Sequence, residues 1–408
     1  MRLLCLSNGH GEDTIALRIV QALQQQSQSM SQPLEIAALP VVGEGQTYQQ
    51  QGIPIVGTVK AMPSGGFVYM DGKQLARDIR GGLLQLTRTQ MRTVRTWAQE
   101  GGFVLAVGDI VPLLFAWWSR VPYAFIATAK SEYYLRDEHG LLPRQSWFER
   151  LESWSGSVFL PWERWLMSRP HCRAVFPRDR LTTHFLKRWK IPAFDLGNPM
   201  MDGLEPAGQM FRSLNEDSLP LTIALLPGSR APEAYENWGL IVQSATALQK
   251  MMPDRSLLFV AATVPWLDRE QLQHTLRVQG WRQQTEDSFE QTNARLILTQ
   301  AFNDCLHQAD LGIAMAGTAT EQLVGLGKPV VSLPGKGPQF TFAFAEAQTR
   351  LLGCSVTMVQ RPQMVPPAVT ALLQDPDRLY QIQQNGQQRM GTGGAAARIA
   401  THLLREFQ

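Results

Sequence analysis

Short runs of unbroken apolar residues alternate with longer segments of helical periodicity, and the alternation runs twice along the 408 residues. In the first half MRLLCLS, LEIAALP, PIVGTV, FVLAVGD and YAFIATA read as buried strands. TIALRIVQALQQQ puts Ile15, Ile19 and Leu23 on one helical face, and the span 71–100 also reads as helix. The pattern breaks at Pro199 and the polar, turn-rich stretch 203–220, then restarts. LTIALL, LLFVAA, ARLILT, LGIAMA and PVVSL are the strands of the second half, and EAYENWGLIVQSATALQKM is a helix. Strands that are apolar throughout, rather than at alternate residues, belong to sheets covered on both faces, so the fold class is α/β with parallel sheets. The expected architecture is two Rossmann-like domains facing a cleft, residues 1–198 and 199–385. Residues 386–408 are expected as a helical segment crossing back to the first domain.

Composition narrows the function classes. The chain is 44% hydrophobic and 18% charged, which is globular, and its formal net charge of +3 comes without a Lys/Arg run. A nucleic-acid binder would carry a basic stripe, so no nucleic-acid partner is expected. Cys5, Cys172, Cys305 and Cys354 are scattered without metal-ligand spacing, which predicts reduced thiols and no metal site. The longest apolar stretch, VPLLFAWWSRVPYAFIA, is broken by Arg120 and Pro122 and reads as a helix followed by a strand, not a membrane span. The first apolar run passes straight into a glycine-rich segment, as a strand does and a signal peptide does not. A cytoplasmic protein is expected, soluble or peripheral on the cytoplasmic face of a membrane, with oligomerisation left open.

The glycine-rich turns carry the chemistry. SNGHGED at 7–13 lies between the first strand and the first helix, where Asn8, Gly9, Gly11 and Glu12 form an acceptor or phosphate loop. His10 in that turn can exchange a proton, while Glu12 and Asp13 could equally be ordinary helix-start acids. Asp109, after FVLAV and Gly108, is either a general base at the carboxyl edge of the sheet or the N-cap of the next helix. LLPGSRAPE at 225–233 combines backbone donors, a hydroxyl and a guanidinium in Gly228, Ser229 and Arg230, where a diphosphate would lie. In MAGTATEQ at 315–322, Gly317, Thr318 and Thr320 make a donor-rich helix start, and Glu321 in its first turn can accept from ribose hydroxyls or simply face the helix dipole. Finally, residues 144–170 interleave Trp147, Phe148, Trp154, Phe159, Trp162 and Trp165 with four arginines. That mixture suits an anionic membrane surface or an apolar acceptor, with Trp154, Trp162 and Trp165 as contacts; core packing is the alternative.

Taken together, LLPGSR, GTATEQ with GKPVV after it, GNPMMDG at 197–203 and GTGGAAARIA at 391–400 resemble lipid-A-disaccharide synthases. They are more distantly similar to the transferase that makes lipid II from lipid I. The SNGHGED form, in place of the synthases' GExSGD, resembles that of the lipid-A-disaccharide synthase-related group. The resemblance implies a GT-B glycosyltransferase fold, a UDP-sugar donor held by the C-terminal domain, a lipid acceptor met by the N-terminal domain, and no metal or other cofactor. It implies that Gly228, Ser229 and Arg230 meet the diphosphate. Gly317, Thr318 and Thr320 would line the same pocket, Glu321 would hold the ribose, and Asp109 would stand where that family has an essential carboxylate. The expected reaction is inverting, metal-independent glycosyl transfer, with Asp109 or His10 as base. A UDP-sugar 2-epimerase, or a non-catalytic nucleotide-sugar or lipid-binding protein, are the alternatives.

Overall fold

The computed structural model describes residues 1–30, 33–60, 83–143, 154–212, 219–335, 337 and 340–407, leaving out the side chains of His10, Leu83 and Leu84. The helical reading of 71–82 and the stretch 144–153, with Trp147 and Phe148, lie outside the described residues. The chain divides into two compact units, Met1–Asp202 with Gly393–Gln408, and Gly203–Thr392. The changeovers lie four and seven residues beyond those expected after residues 198 and 385.

In the first unit, β1 (Arg2–Ser7) leads through Gly9 into α1 (His10–Ser29), followed by β2 (Glu35–Pro40). Then come α2 (Leu83–Ala98), β3 (Phe103–Gly108), α3 (Ile110–Ser119) and β4 (Tyr123–Ala127). α4 (Pro161–Met167), β5 (Cys172–Pro177) and α5 (Arg180–Lys187) complete the alternation. The five strands pair in parallel in the order β2-β1-β3-β4-β5. β1, β3 and β4 are buried almost without interruption, as their unbroken apolar sequences demand. β5 was missed in the sequence because exposed Arg173 interrupts a short run that ends in Pro177.

PIVGTV does not form the expected strand. Ile55 makes one isolated bridge to Ala38, with the Val56 N–H donating to the Ala38 carbonyl and the Ala38 N–H to that of Pro54. Pro54 lacks an N–H and Gly57 turns the chain at φ 80°, so the ladder stops after one rung.

The second unit runs β6 (Leu221–Leu226), α6 (Glu233–Met251), β7 (Leu257–Ala262) and α7 (Arg269–Val278). An antiparallel ribbon, β8 (Arg282–Gln283) and β9 (Ser288–Gln291), leads to β10 (Ala294–Thr299) and α8 (Phe302–Gln308). β11 (Leu311–Ala314), α9 (Thr318–Gly325), β12 (Val330–Ser332), α10 (Phe342–Leu352) and β13 (Val356–Met358) follow. α11 (Val365–Leu373) and α12 (Pro376–Met390) close the unit. The parallel part of the sheet is ordered β10-β7-β6-β11-β12-β13, with β9 and β8 added antiparallel at one edge. Trp238 and Trp281, both essentially unexposed, are its largest core side chains.

α13 (Ala395–Glu406) belongs to the first unit. Its Ala396, Ile399, Leu403 and Leu404 share a core with Ile15, Ile19 and Leu23, the helical face read from the sequence. The Asp202 carboxylate accepts from the N–H groups of Gly394, Ala395 and Ala396 at 2.5, 3.0 and 2.6 Å, supplying partners to a helix start that has none within the helix. All four cysteines are free, three of them buried. Among the described residues no helix is long and apolar enough to cross a membrane.

Candidate functional site

In chain order, the six parallel strands of the second unit are arranged 3-2-1-4-5-6, so the winding reverses between β6 and β11. At such a switch point the flanking turns run to opposite faces and leave a crevice beyond the strands' carboxyl ends. Leu226 pairs with Ala314, so the turns Pro227–Arg230 and Met315–Thr318 emerge side by side from adjacent strand ends. Gly228 sits at φ 94°, a conformation that side chains rarely adopt, while a Cβ there would meet nothing closer than Met315 O at 3.5 Å. Backbone conformation, not space, demands that glycine.

Asn237, buried on α6, joins the two turns. Its Nδ2 donates to Pro227 O at 3.1 Å and to Met315 O at 3.2 Å. Gln348 of α10 does the same for the second turn, donating to Ala316 O at 3.2 Å and Gly317 O at 3.1 Å. Thr320 is fully buried and its hydroxyl donates to Ala316 O at 2.6 Å, so it supports the turn from beneath. Ser229 and Thr318 are exposed, Arg230 and Gly317 are half-buried, and Glu321 is buried in the first turn of α9. Trp266, itself exposed, donates its indole N–H to Ser229 O at 2.8 Å. The sequence offered no signal for Asn237, Gln348 or Trp266, whose partners lie between 10 and 78 residues away. One strand over, a cavity of about 520 Å³ opens at the ends of β7 and β10, lined by Thr263, Leu267, Thr299 and Gln300 among others.

The first unit has its own switch point. Its strand order, 2-1-3-4-5 in chain sequence, reverses between β1 and β3, where Ser7 pairs with Val107. SNGHGED and Gly108-Asp109 therefore leave from neighbouring strand ends. Gly9 takes φ 123° as the residue before α1, and needs to be glycine for that reason. Gly11 is different from its expectation: it lies within α1 in open space, and nothing in the backbone requires it. His10 is the first residue of α1. Beneath the turn, Tyr48 donates to the Ser7 hydroxyl at 2.7 Å and Ser7 donates to Asp13 at 2.5 Å.

Asp109 is the N-cap of α3, where its carboxylate accepts from the Val111 N–H at 2.8 Å and from the Asn8 side chain. The two sequence readings of Asp109 are thus compatible. Burial pushes its pKa up to about 6, with the Glu163 charge adding to the rise and Lys130 opposing it. Glu12 lies next to it: its Cγ would be 3.3 Å from a Cβ on Gly108, and Thr128 donates to its Oε1 at 3.4 Å. Burial, with the charges of Asp109 and Asp13, raises Glu12 to about 7. Glu163 is buried and takes both a bidentate bond from Lys130 at 2.6 and 2.7 Å and the Leu160 N–H.

Elsewhere on the first unit Trp154, Trp162 and Trp165 are 61%, 50% and 46% exposed, more than core packing would leave. Arg169 stacks over Trp165 at 4.4 Å and Arg164 over Trp189 at 4.1 Å, so two of the unit's indoles carry a guanidinium on their faces.

No family model matches the chain. It is 25% identical over 235 residues to a lipid-A-disaccharide synthase of Syntrophotalea carbinolica, an alignment covering 52% of this chain and 56% of that one. To the lipid-A-disaccharide synthase of Trichlorobacter lovleyi it is 24% identical over 254 residues, covering 57% and 62%. The alignments thus take in little more than half the length of these curated relatives. Among solved structures, CalG4, the calicheamicin glycosyltransferase, superposes with a TM-score of 0.61 at 14% identity over 99% of this chain and 98% of its own. The UDP-GlcNAc 2-epimerase of Neisseria meningitidis, bound to UDP-GlcNAc, superposes with 0.57 at 16% identity over 99% and 100%. These likenesses show a GT-B fold, two Rossmann-like units, in this chain.

Proposed function

We propose that this distant lipid-A-disaccharide synthase-like protein is a glycosyltransferase that moves a sugar from a UDP-sugar donor to an acceptor with a lipid part. The observation that carries the reading is the pairing of the PGSR and AGTAT turns at the switch point of the second unit's sheet. Gly228 and Ser229 offer backbone and hydroxyl donors, and Arg230 a guanidinium, to the diphosphate. Gly317 and Thr318 line the same pocket on the other turn, with Thr320 holding its shape and Glu321 accepting from the ribose hydroxyls. As the donor's C1–O bond breaks, its electron pair passes to the diphosphate, and Arg230 together with the starts of α6 and α9 meets the growing charge. On this reading the leaving group needs no metal.

The first unit serves the acceptor. Asp109, or failing it His10, takes the proton of the acceptor hydroxyl, whose oxygen attacks the anomeric carbon opposite the leaving UDP and inverts it. UDP should bind by calorimetry, and a UDP-sugar should be slowly hydrolysed to UDP and free sugar. Absence of UDP binding overturns the reading. A 2-epimerised UDP-sugar as product, or binding without turnover, would favour the epimerase or the binding protein instead.

The exposed indoles and their arginines support a lipid-bearing acceptor met at an anionic membrane surface. Flotation with vesicles containing anionic lipid is expected to weaken as salt rises, and to fall when Trp162 and Trp165 are replaced by Ser. Failure to float at low salt, or flotation indifferent to those replacements, removes the membrane from the account.

A further inference from the structure

The turn at 7–13 suits either a phosphate or an acceptor, and the side chains around it distinguish the two. Among the described side chains, the charged groups at this end are Glu12 and Asp13 on α1, Asp109, Glu163 of α4 and Lys130, with Arg178 reaching the Thr128 carbonyl at 3.2 Å behind them. Lys130 is matched to both oxygens of Glu163, and Asp13 is occupied by Ser7. Asp109 already serves the start of α3. Among these described groups, Glu12 and Asp109 stand together at the strand ends, a pair of carboxyl groups that repel a phosphate and accept hydrogen bonds.

A second observation points the same way. Asn8 is only 7% exposed, and its amide N–H₂ is engaged by Asp109, yet its Oδ1 has no partner among the described residues. A buried amide oxygen left without a donor is costly, and such an atom beside a crevice is suited to a donor brought by a ligand.

We propose that Asn8, Glu12 and Asp109 form a subsite for an uncharged polyol, the hydroxyl-rich end of the glycosyl acceptor. Asp109 takes the proton of the attacking hydroxyl, while Asn8 Oδ1 and Glu12 hold a neighbouring hydroxyl. The acceptor's O–H bond breaks as its oxygen bonds to C1 of the donor sugar, and UDP leaves with the electron pair of the old C1–O bond. This assignment rests on the glycosyl-transfer reading and adds to it the class of acceptor: a reacting end with adjacent hydroxyls and no phosphate.

Saturation-transfer NMR tests it with methyl β-D-glucopyranoside and glycerol, which carry no apolar chain to attach elsewhere. The full chain should transfer saturation to at least one of them, and glucose 6-phosphate should neither receive saturation nor displace it. Asn8→Ala and Glu12→Ala should each weaken binding about tenfold or more, as loss of a hydrogen bond to a charged or buried partner does. Glu12→Gln, close to Glu in volume, repeats the measurement if the alanine variant fails to fold. No saturation from either polyol, equal saturation of glucose 6-phosphate, or unchanged binding in both Asn8 and Glu12 variants overturns the proposal. UDP calorimetry on the same samples separates the two readings. UDP binding without polyol binding defeats only the acceptor subsite, and polyol binding without UDP binding defeats the glycosyl-transfer reading.

Discussion

Asp109→Asn is expected to lower glycosyl transfer by about 10²–10⁴-fold, the usual worth of a general base, with UDP affinity unchanged. The substitution is informative because asparagine caps a helix about as well as aspartate. Its Oδ1 can still accept from the Val111 N–H, as Asp109 does at 2.8 Å, so a carboxylate that served only the helix would lose nothing on replacement. The pH profile carries a second signature. Burial raises Asp109 to about 6, and a raised acid is ionised only above that value. The wild-type kcat/KM should therefore climb as pH rises through about 6, where an ordinary aspartate near 4 would already be flat. Turnover with the acceptor, or slow UDP-sugar hydrolysis before one is in hand, supplies the measurement. Full activity in Asp109→Asn together with loss in His10→Ala would transfer the role to the histidine.

Arg230→Ala is expected to weaken UDP binding by about 1–3 kcal/mol, roughly five- to 150-fold, the range for a charge-assisted hydrogen bond. The first bond of α6, from the Ala234 N–H to the Arg230 carbonyl at 2.8 Å, uses the backbone and remains available in the variant. The loss should vanish when uridine replaces UDP, because the guanidinium is assigned to the phosphates alone. Arg230→Lys should recover only part of the affinity, as an ammonium offers a point charge without the planar fork. Calorimetry showing equal UDP affinity in wild type and Arg230→Ala would remove Arg230 from the donor site and weaken the assignment of the whole turn.

Much of this molecule is written locally. The unbroken apolar runs at 2–7, 103–108, 221–226 and 257–262 formed strands where they were read, because burial on both faces leaves no alternation to obscure them. Gly9 and Gly228 marked turns for the same local reason, a backbone that only glycine adopts freely. PIVGTV failed because strand formation also needs a neighbour along its length, and Pro54 and Gly57 limited Ile55 to one rung. The exposed indoles at 154, 162 and 165 could be seen as aromatic in the sequence but not as exposed.

The amino-acid sequence by itself determined two βα-repeating halves and the glycine turns that end their first strands, since periodicity and φ preference act over a few residues. Only the tertiary structure decided which turns became neighbours, because strand order is a matter of pairing across the chain: Leu226 meets Ala314, and Ser7 meets Val107. It also decided that Asn237 and Gln348 clamp those turns, that the Thr320 hydroxyl is used within one, and that Asn8 Oδ1 has no described partner. The acidity of Glu12 and Asp109 belongs to the same category. A carboxyl group's pKa follows the water and charge around it, and here Thr128, Glu163 and Lys130 arrive from elements 21 to 116 residues away.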